Sequence, residues 1–132
     1  MLHRAISPTR IGGTLAAAAL FAPALAGLVD ERLCAAFLDA SLGLLGMSVS
    51  PPLHPRRIEV PLRGLVLEAL AVDARAMLIA HNHPQGSREP SAADRHATRR
   101  LAEVGRALGI RLIDHLLFAG EEVVSFRALG LL

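Results

Sequence analysis

The sequence predicts one mixed α/β domain, a single sheet with helices packed around it. Three observations carry this. The chain has 132 residues, enough for one domain and short for two. Its hydrophobic fraction is 52% and its charged fraction 20%, apolar enough for a core and unlike a disordered chain. Short apolar runs bounded by turn residues alternate with stretches of helical period, the order expected of a sheet covered by helices. Aromatics are only 3%, with no Trp or Tyr, so the core must be aliphatic.

Residues 14–29, TLAAAALFAPALAGLV, read as an Ala-rich helix capped by Ser7 or Thr9. The same stretch, preceded by His3, Arg4 and Arg10, has the outline of a signal peptide. It is short for a membrane span and contains Pro23. Residues 33–38, LCAAFL, predict a buried strand, Asp39-Ala40-Ser41 a turn, and 44–49 a second strand. Ser50-Pro51-Pro52 ends it, because proline cannot donate to a central ladder. Residues 58–60 read as a short strand. Residues 62–73 predict a helix with Leu62, Val66, Ala69 and Leu70 on one face. Residues 76–80, AMLIA, predict a buried strand, followed by a polar loop over 81–90. Residues 91–108 give the clearest helix. There Ala97, Leu101, Val104 and Leu108 recur at helical spacing between a Ser91 N-cap and Gly109. A strand over 111–118 and a turn at 120–122 lead into a last strand over 123–126. The order is helix, hairpin, helix, strand, helix, hairpin.

Composition narrows the function. Net charge is +2 and all fourteen basic residues are Arg, but they are scattered and no aromatic platform accompanies them. A solvated surface explains them better than a nucleic-acid face. Cys34 is the only cysteine, which excludes an internal disulfide and a Cys cluster for zinc, and is compatible with a reducing cytoplasm. Within its apolar run the default is a buried, inert thiol.

The stretch that carries chemistry is His81-Asn82-His83-Pro84, followed by Ser91-Ala92-Ala93-Asp94. On extended backbone, residues i and i+2 point to the same side, so His81 and His83 can present two imidazoles to one point. They follow a buried strand at its C-terminal end, where ligand sites commonly form. Asp94 falls on the first turn of the next helix. Two neutral imidazoles and one carboxylate suit Zn²⁺ and leave a fourth tetrahedral position for water. Each half has a plainer reading: His-x-His as two loop histidines, Ser-x-x-Asp as a capping box. The two roles can coexist, with Ser91 capping the helix while the same turn offers Asp94 to a metal. The literal string His-Asn-His is a coincidence with the name of a nuclease motif. Asn82 points away from the histidines and reads as structural.

His-x-His-Pro, seven residues, then Ser-x-x-Asp resembles the JAMM (MPN+) metalloprotease signature. More closely, HNHPQGSREPSAADRHATRRL, together with LGIRLIDHLLFAGEEVVSF, the ending RALGLL and FLDA at 37–40, resembles the JAB domain of RadC-like bacterial proteins. The resemblance covers about residues 29–132, with residues 1–28 expected as a helix packing on that domain. It implies a JAB/MPN-like, cytidine-deaminase-like sandwich, a mixed β-sheet flanked by helices. It also implies Zn²⁺ held by His81, His83 and Asp94, with Glu31 as general base and Ser91 stabilising the oxyanion. Composition alone would leave Glu31 an ordinary surface acid. His115, in Asp114-His115, recurs in RadC-like sequences and ranks as an outer or packing residue before any ligand role. His3, His54 and His96 show no partners.

The implied activity is hydrolysis of a peptide or isopeptide bond by a cytoplasmic zinc metallopeptidase, with a peptide or protein substrate and no membrane association. The sequence does not specify an oligomeric state. Two other readings stand beside it. The positive charge and the historical naming of RadC-like proteins suggest a DNA-repair-associated accessory, although the helix-hairpin-helix segment of longer RadC-like proteins has no counterpart here. Pro51-Pro52-Leu53-His54 and Val60-Pro61-Leu62-Arg63-Gly64 replace the family's FRGT-like and V-H-P-R-E stretches, which suggests a catalytically silent metal-binding interaction domain.

Overall fold

The computed structural model describes residues 10–52 and 61–132. Its elements are α1 (Thr14–Leu25), β1 (Leu33–Leu38), β2 (Leu44–Val49), α2 (Leu62–Ala71), β3 (Ala76–His83), α3 (Ala92–Ala107), β4 (Arg111–Ala119) and β5 (Glu122–Ser125). This is the mixed α/β order that the apolar runs predict. The five strands form one sheet in the order β2-β1-β3-β4-β5. Only β3 and β4 run parallel, joined across the sheet by α3, and every other pairing is antiparallel. The strand expected at 58–60 and His54 lie outside the described residues, as do His3, Ser7 and Thr9. Among the described residues no helix is long and apolar enough to cross a membrane.

Both faces of the sheet are covered, so β1 and most of β3 are apolar on both sides. Cys34, Ala36, Leu38, Ala76, Leu78 and Ala80 meet α1 through Ala17, Phe21 and Leu25. Ala35, Phe37, Met77 and Ile79 point the other way and meet α2 and α3 through Leu65, Ala69 and Leu101. Small residues recur on both faces, so the few large ones carry much of the burial. Phe21, Phe37 and Phe126 are fully buried, each contributing roughly 1.5–3 kcal/mol. α1 begins behind Gly13 without a side-chain cap.

Three expectations need correction. β3 does not stop at Ala80 but runs through His83, because β4 continues beside it and pairs His83 with Ala119. The following loop is therefore shorter, and the two histidines stand on the strand itself. On α2 the buried residues are Leu65 and Ala69, while Leu70 is half exposed. On α3 the buried stripe is Asp94, Thr98, Leu101 and Gly105, not Ala97, Leu101, Val104 and Leu108. The spacing is the same, but the phase is set by what faces the sheet. Gly105 lies in that stripe because a Cβ there would sit 2.5 Å from the Ile110 carbonyl oxygen.

Candidate metal centre

The site forms where three chain segments reach the same end of the sheet. β1 and β3 are antiparallel, with Leu33 opposite His81. Continuing that register by two residues sets Glu31 across from His83. α3 then starts over the same end, with Ser91 as its N-cap. The capping box forms as expected: Ser91 Oγ accepts from the Asp94 N–H at 2.9 Å, and Asp94 Oδ2 accepts from the Ser91 N–H at 3.0 Å. Asp94 is thereby held in one rotamer at the mouth of the strand.

The same Asp94 Oδ2 lies 3.4 Å from His81 Nε2 and 3.4 Å from His83 Nε2, and the two Nε2 atoms are 3.1 Å apart. A tetrahedral zinc with bonds of roughly 2.0–2.1 Å separates its ligand atoms by about 3.3 Å. The three donors thus already make a triangle of the right size. His83 Nδ1 donates to the Ser87 carbonyl at 2.9 Å, which leaves its Nε2 lone pair directed at the triangle. Glu31 Oε1 stands 3.7 Å from His83 Nε2 and has no hydrogen-bond partner among the described residues, although it is buried. Glu31, His81 and His83 also offer donor atoms all within 4.8 Å of one another. A carboxylate oxygen without a partner and two facing imidazole nitrogens fit a divalent cation, which would compensate all three at once.

The electrostatics agree with this. Burial raises the cost of ionising Asp94, yet the adjoining His81 ring and the hydrogen bonds to Ser91 outweigh that cost. The carboxyl is held well below the usual range. His115 is held well below the ordinary imidazole range, first by complete burial and second by neighbouring His81, so it is neutral. Cys34 lies in the core away from this set. Burial pushes its thiol up to about 11, an inert group as expected.

All five residues singled out in the sequence thus reach one end of the sheet. Glu31, His81, His83 and Asp94 form a contacting set. Ser91 is tied to that set through Asp94, and its hydroxyl hydrogen is uncommitted among the described residues.

Outer contacts organise the set. Asn82, on the opposite face of β3, accepts from the Arg32 N–H at 2.7 Å and donates to the Asp30 carbonyl at 2.8 Å. It grips the backbone on both sides of Glu31. His115 Nε2 lies 2.6 Å from His81 Nδ1, and its Nδ1 lies 2.7 Å from Thr98 Oγ1. The His115 ring stacks on Phe126 at 4.1 Å. Thr98 is a residue that sequence reasoning does not single out. Its signal is its place four residues after Asp94, on the same face of the helix.

A cleft of about 620 Å³ beside α1 is lined by Ala18, Ala22 and Leu25 of that helix, by Asn82 and His83 of β3, and by Val123.

Comparison with known proteins finds relatives over most of the chain. The family model described as RadC-like JAB domain matches residues 12–131, a span that includes α1. A UPF0758 protein of Bordetella petrii is 43% identical over 112 residues, covering 85% of this chain and 50% of its own length. A UPF0758 protein of Thiobacillus denitrificans is 40% identical over 107 residues, covering 76% of this chain and 45% of its own. UPF0758 protein YkfG of Escherichia coli is 45% identical over 76 residues, covering 58% of this chain and 48% of its own. The chain therefore spans about half the length of the curated relatives it matches. With a match over nearly its full length, the chain belongs to the RadC-like JAB domain family.

Proposed function

We propose that the chain is a zinc-dependent hydrolase of amide bonds, a metallopeptidase or isopeptidase, with His81, His83 and Asp94 as the metal ligands. The observation that carries this is the triangle of Nε2, Nε2 and Oδ2 atoms at 3.1, 3.4 and 3.4 Å beside the unpartnered oxygen of Glu31. A divalent ion held by these residues would supply Lewis-acid chemistry for the scissile carbonyl and for the attacking water.

The residues of the chain do the rest. Glu31, just beyond the ligand triangle, takes the proton of the attacking water and returns it to the departing amine. Holding that carboxylate in place falls to Asn82, through the backbone of Asp30 and Arg32. The Ser91 hydroxyl, which spends a lone pair on the Asp94 N–H, keeps its hydrogen for the developing oxyanion. The apolar cleft beside His83 gives an extended peptide segment a place to lie while most of its water is displaced.

The test compares wild-type and Glu31→Gln protein, both loaded with zinc, on a peptide library resolved by mass spectrometry. We expect cleavage by the wild type and a loss of at least 100-fold in Glu31→Gln at unchanged zinc content. Cleavage that is equal in both sinks the hydrolytic assignment. Full zinc occupancy with no cleavage of any peptide by the wild type supports the silent binding domain instead.

A further inference from the structure

We infer that Thr98 and His115 are positioning residues that fix which nitrogen of His81 is free to bind the metal. The inference rests on the metal-centre reading above and assigns work to two residues outside the ligand set.

The chain of contacts runs from α3 to β3 through β4. Thr98 Oγ1 is 2.7 Å from the Asp94 carbonyl oxygen, which can only accept. The single hydroxyl hydrogen of Thr98 is committed there. Its other contact, to His115 Nδ1 at 2.7 Å, is then a hydrogen bond only if Nδ1 carries the hydrogen. With one hydrogen, on Nδ1, the enclosed His115 ring has a bare Nε2. That atom is 2.6 Å from His81 Nδ1, which must therefore be the donor. His81 is left with a lone pair on Nε2, the atom that belongs to the ligand triangle.

The alternative placement has a definite cost. If His81 carried its hydrogen on Nε2, that N–H would point at His83 Nε2, only 3.1 Å away, and would close the triangle to a cation. The buried hydroxyl of Thr98 therefore selects between an open and a closed ligand set without touching a ligating atom. All members are enclosed: Thr98 is fully buried, and Asp94, His81 and His115 are nearly so. Water therefore has little access to supply substitute partners. Asp114 holds the far side of the relay. Its carboxylate accepts from the His115 and Arg127 N–H groups and from the Ser125 hydroxyl, fixing the turn that presses Phe126 onto the His115 ring. The relay begins at the Asp94 carbonyl and ends at His81, so it also ties two ligands from different elements to each other. Outer hydrogen bonds of this kind commonly change metal affinity by 10–100-fold.

Thr98→Val keeps the shape of the side chain and removes the hydroxyl, and Thr98→Ser keeps the hydroxyl. Nitrogen-15 NMR of the metal-free protein reports which nitrogen of His81 carries hydrogen, and optical titration with cobalt(II) reports affinity. We expect the wild type to show hydrogen on His81 Nδ1 and a bare Nε2. In Thr98→Val we expect a mixture of the two forms and cobalt affinity lower by about 10–100-fold. Thr98→Ser should restore both. A wild type with hydrogen on His81 Nε2 overturns the inference, and so does a folded Thr98→Val protein with unchanged tautomer and affinity. If Thr98→Val does not fold, the wild-type tautomer and the Thr98→Ser affinity decide it. These outcomes are separable from the proposed function. Cobalt binding without peptide cleavage removes the peptidase and leaves the relay. Absence of cobalt binding in the wild type removes the metal centre and the relay with it.

Discussion

The two ends of α3 present the same geometry to the sheet and opposite chemistry. Along one stripe the helix buries Asp94 and Thr98 near its start, then Leu101 and Gly105 toward its end. The first pair meets His81 and His115, while Leu101 joins the apolar cluster with Met77 and Ile79. Parallel strands β3 and β4 change character in the same direction, from Met77 and Leu112 to His81 and His115, whose rings meet across the two strands. One half of the helix holds the fold together and the other half holds the site. Burying polar groups is tolerated at the second end because nearly every one has a hydrogen-bond partner. Among the described residues Glu31 Oε1, Arg32 Nε and Glu68 Oε2 lack one, and Glu31 Oε1 lies 3.7 Å from His83 Nε2.

The comparison is breakable, because each end should fail in its own way. The largest effect is expected from Asp94→Ala, which removes a ligand and half of the capping box. Metal affinity should drop by more than 100-fold, with about 1 kcal/mol of stability lost through the cap. Metal titration and denaturant unfolding on the same sample separate the two losses. At the other end, Gly105→Ala forces a methyl against the Ile110 carbonyl oxygen, 2.5 Å from where its Cβ would sit. We expect about 1–3 kcal/mol lost in urea unfolding and unchanged metal affinity in the protein that remains folded. A Gly105→Ala protein that loses metal while retaining stability would dissolve the division between the two ends.

A smaller effect is expected from Asn82→Ala. It removes two hydrogen bonds that flank Glu31 but no ligand. Zinc content should hold, while the turnover rate falls about 10-fold, as expected for a displaced general base. A fall in zinc content with an intact rate per bound zinc contradicts this. The smallest effect concerns Cys34, in the apolar part of β1. Burial raises its thiol from 9.0 to about 11, so the folded state holds its proton across that interval while the unfolded chain releases it. This contribution to stability is present below pH 9.0 and is lost as pH rises toward about 11. At pH 8 a thiol reagent should therefore label the native protein only at the rate of unfolding.

Much of this was legible in the sequence, for identifiable reasons. Short apolar runs and stretches of helical character located the described elements, because the sheet is apolar on both faces and its turns carry Pro, Gly or Asp. His81, His83 and Asp94 were legible because each signals through its own residue type at a fixed spacing. Glu31 was not legible from local pattern. Its proximity to His83 is created by the antiparallel register of β1 and β3, so only the family resemblance singled it out. The phase of α3 differs from the apolar stripe because apolar residues do not mark its buried side. At Asp94 and Thr98 that side is polar, and at Gly105 it has no side chain at all. Thr98 has no distinctive sequence signal, since a threonine in a helix is common and its value lies in a contact to His115 seventeen residues away. The end of β3 was set too early because histidine and asparagine look like loop residues until β4 is seen to pair with them.

The most direct test is the divalent metal content of the purified protein, measured by atomic spectrometry after dialysis against trace zinc. The account predicts about one zinc per chain in the wild type and none in His81→Ala or Asp94→Ala, with all three proteins folded by circular dichroism. A folded wild type without bound metal, or equal zinc in the wild type and both variants, would contradict it.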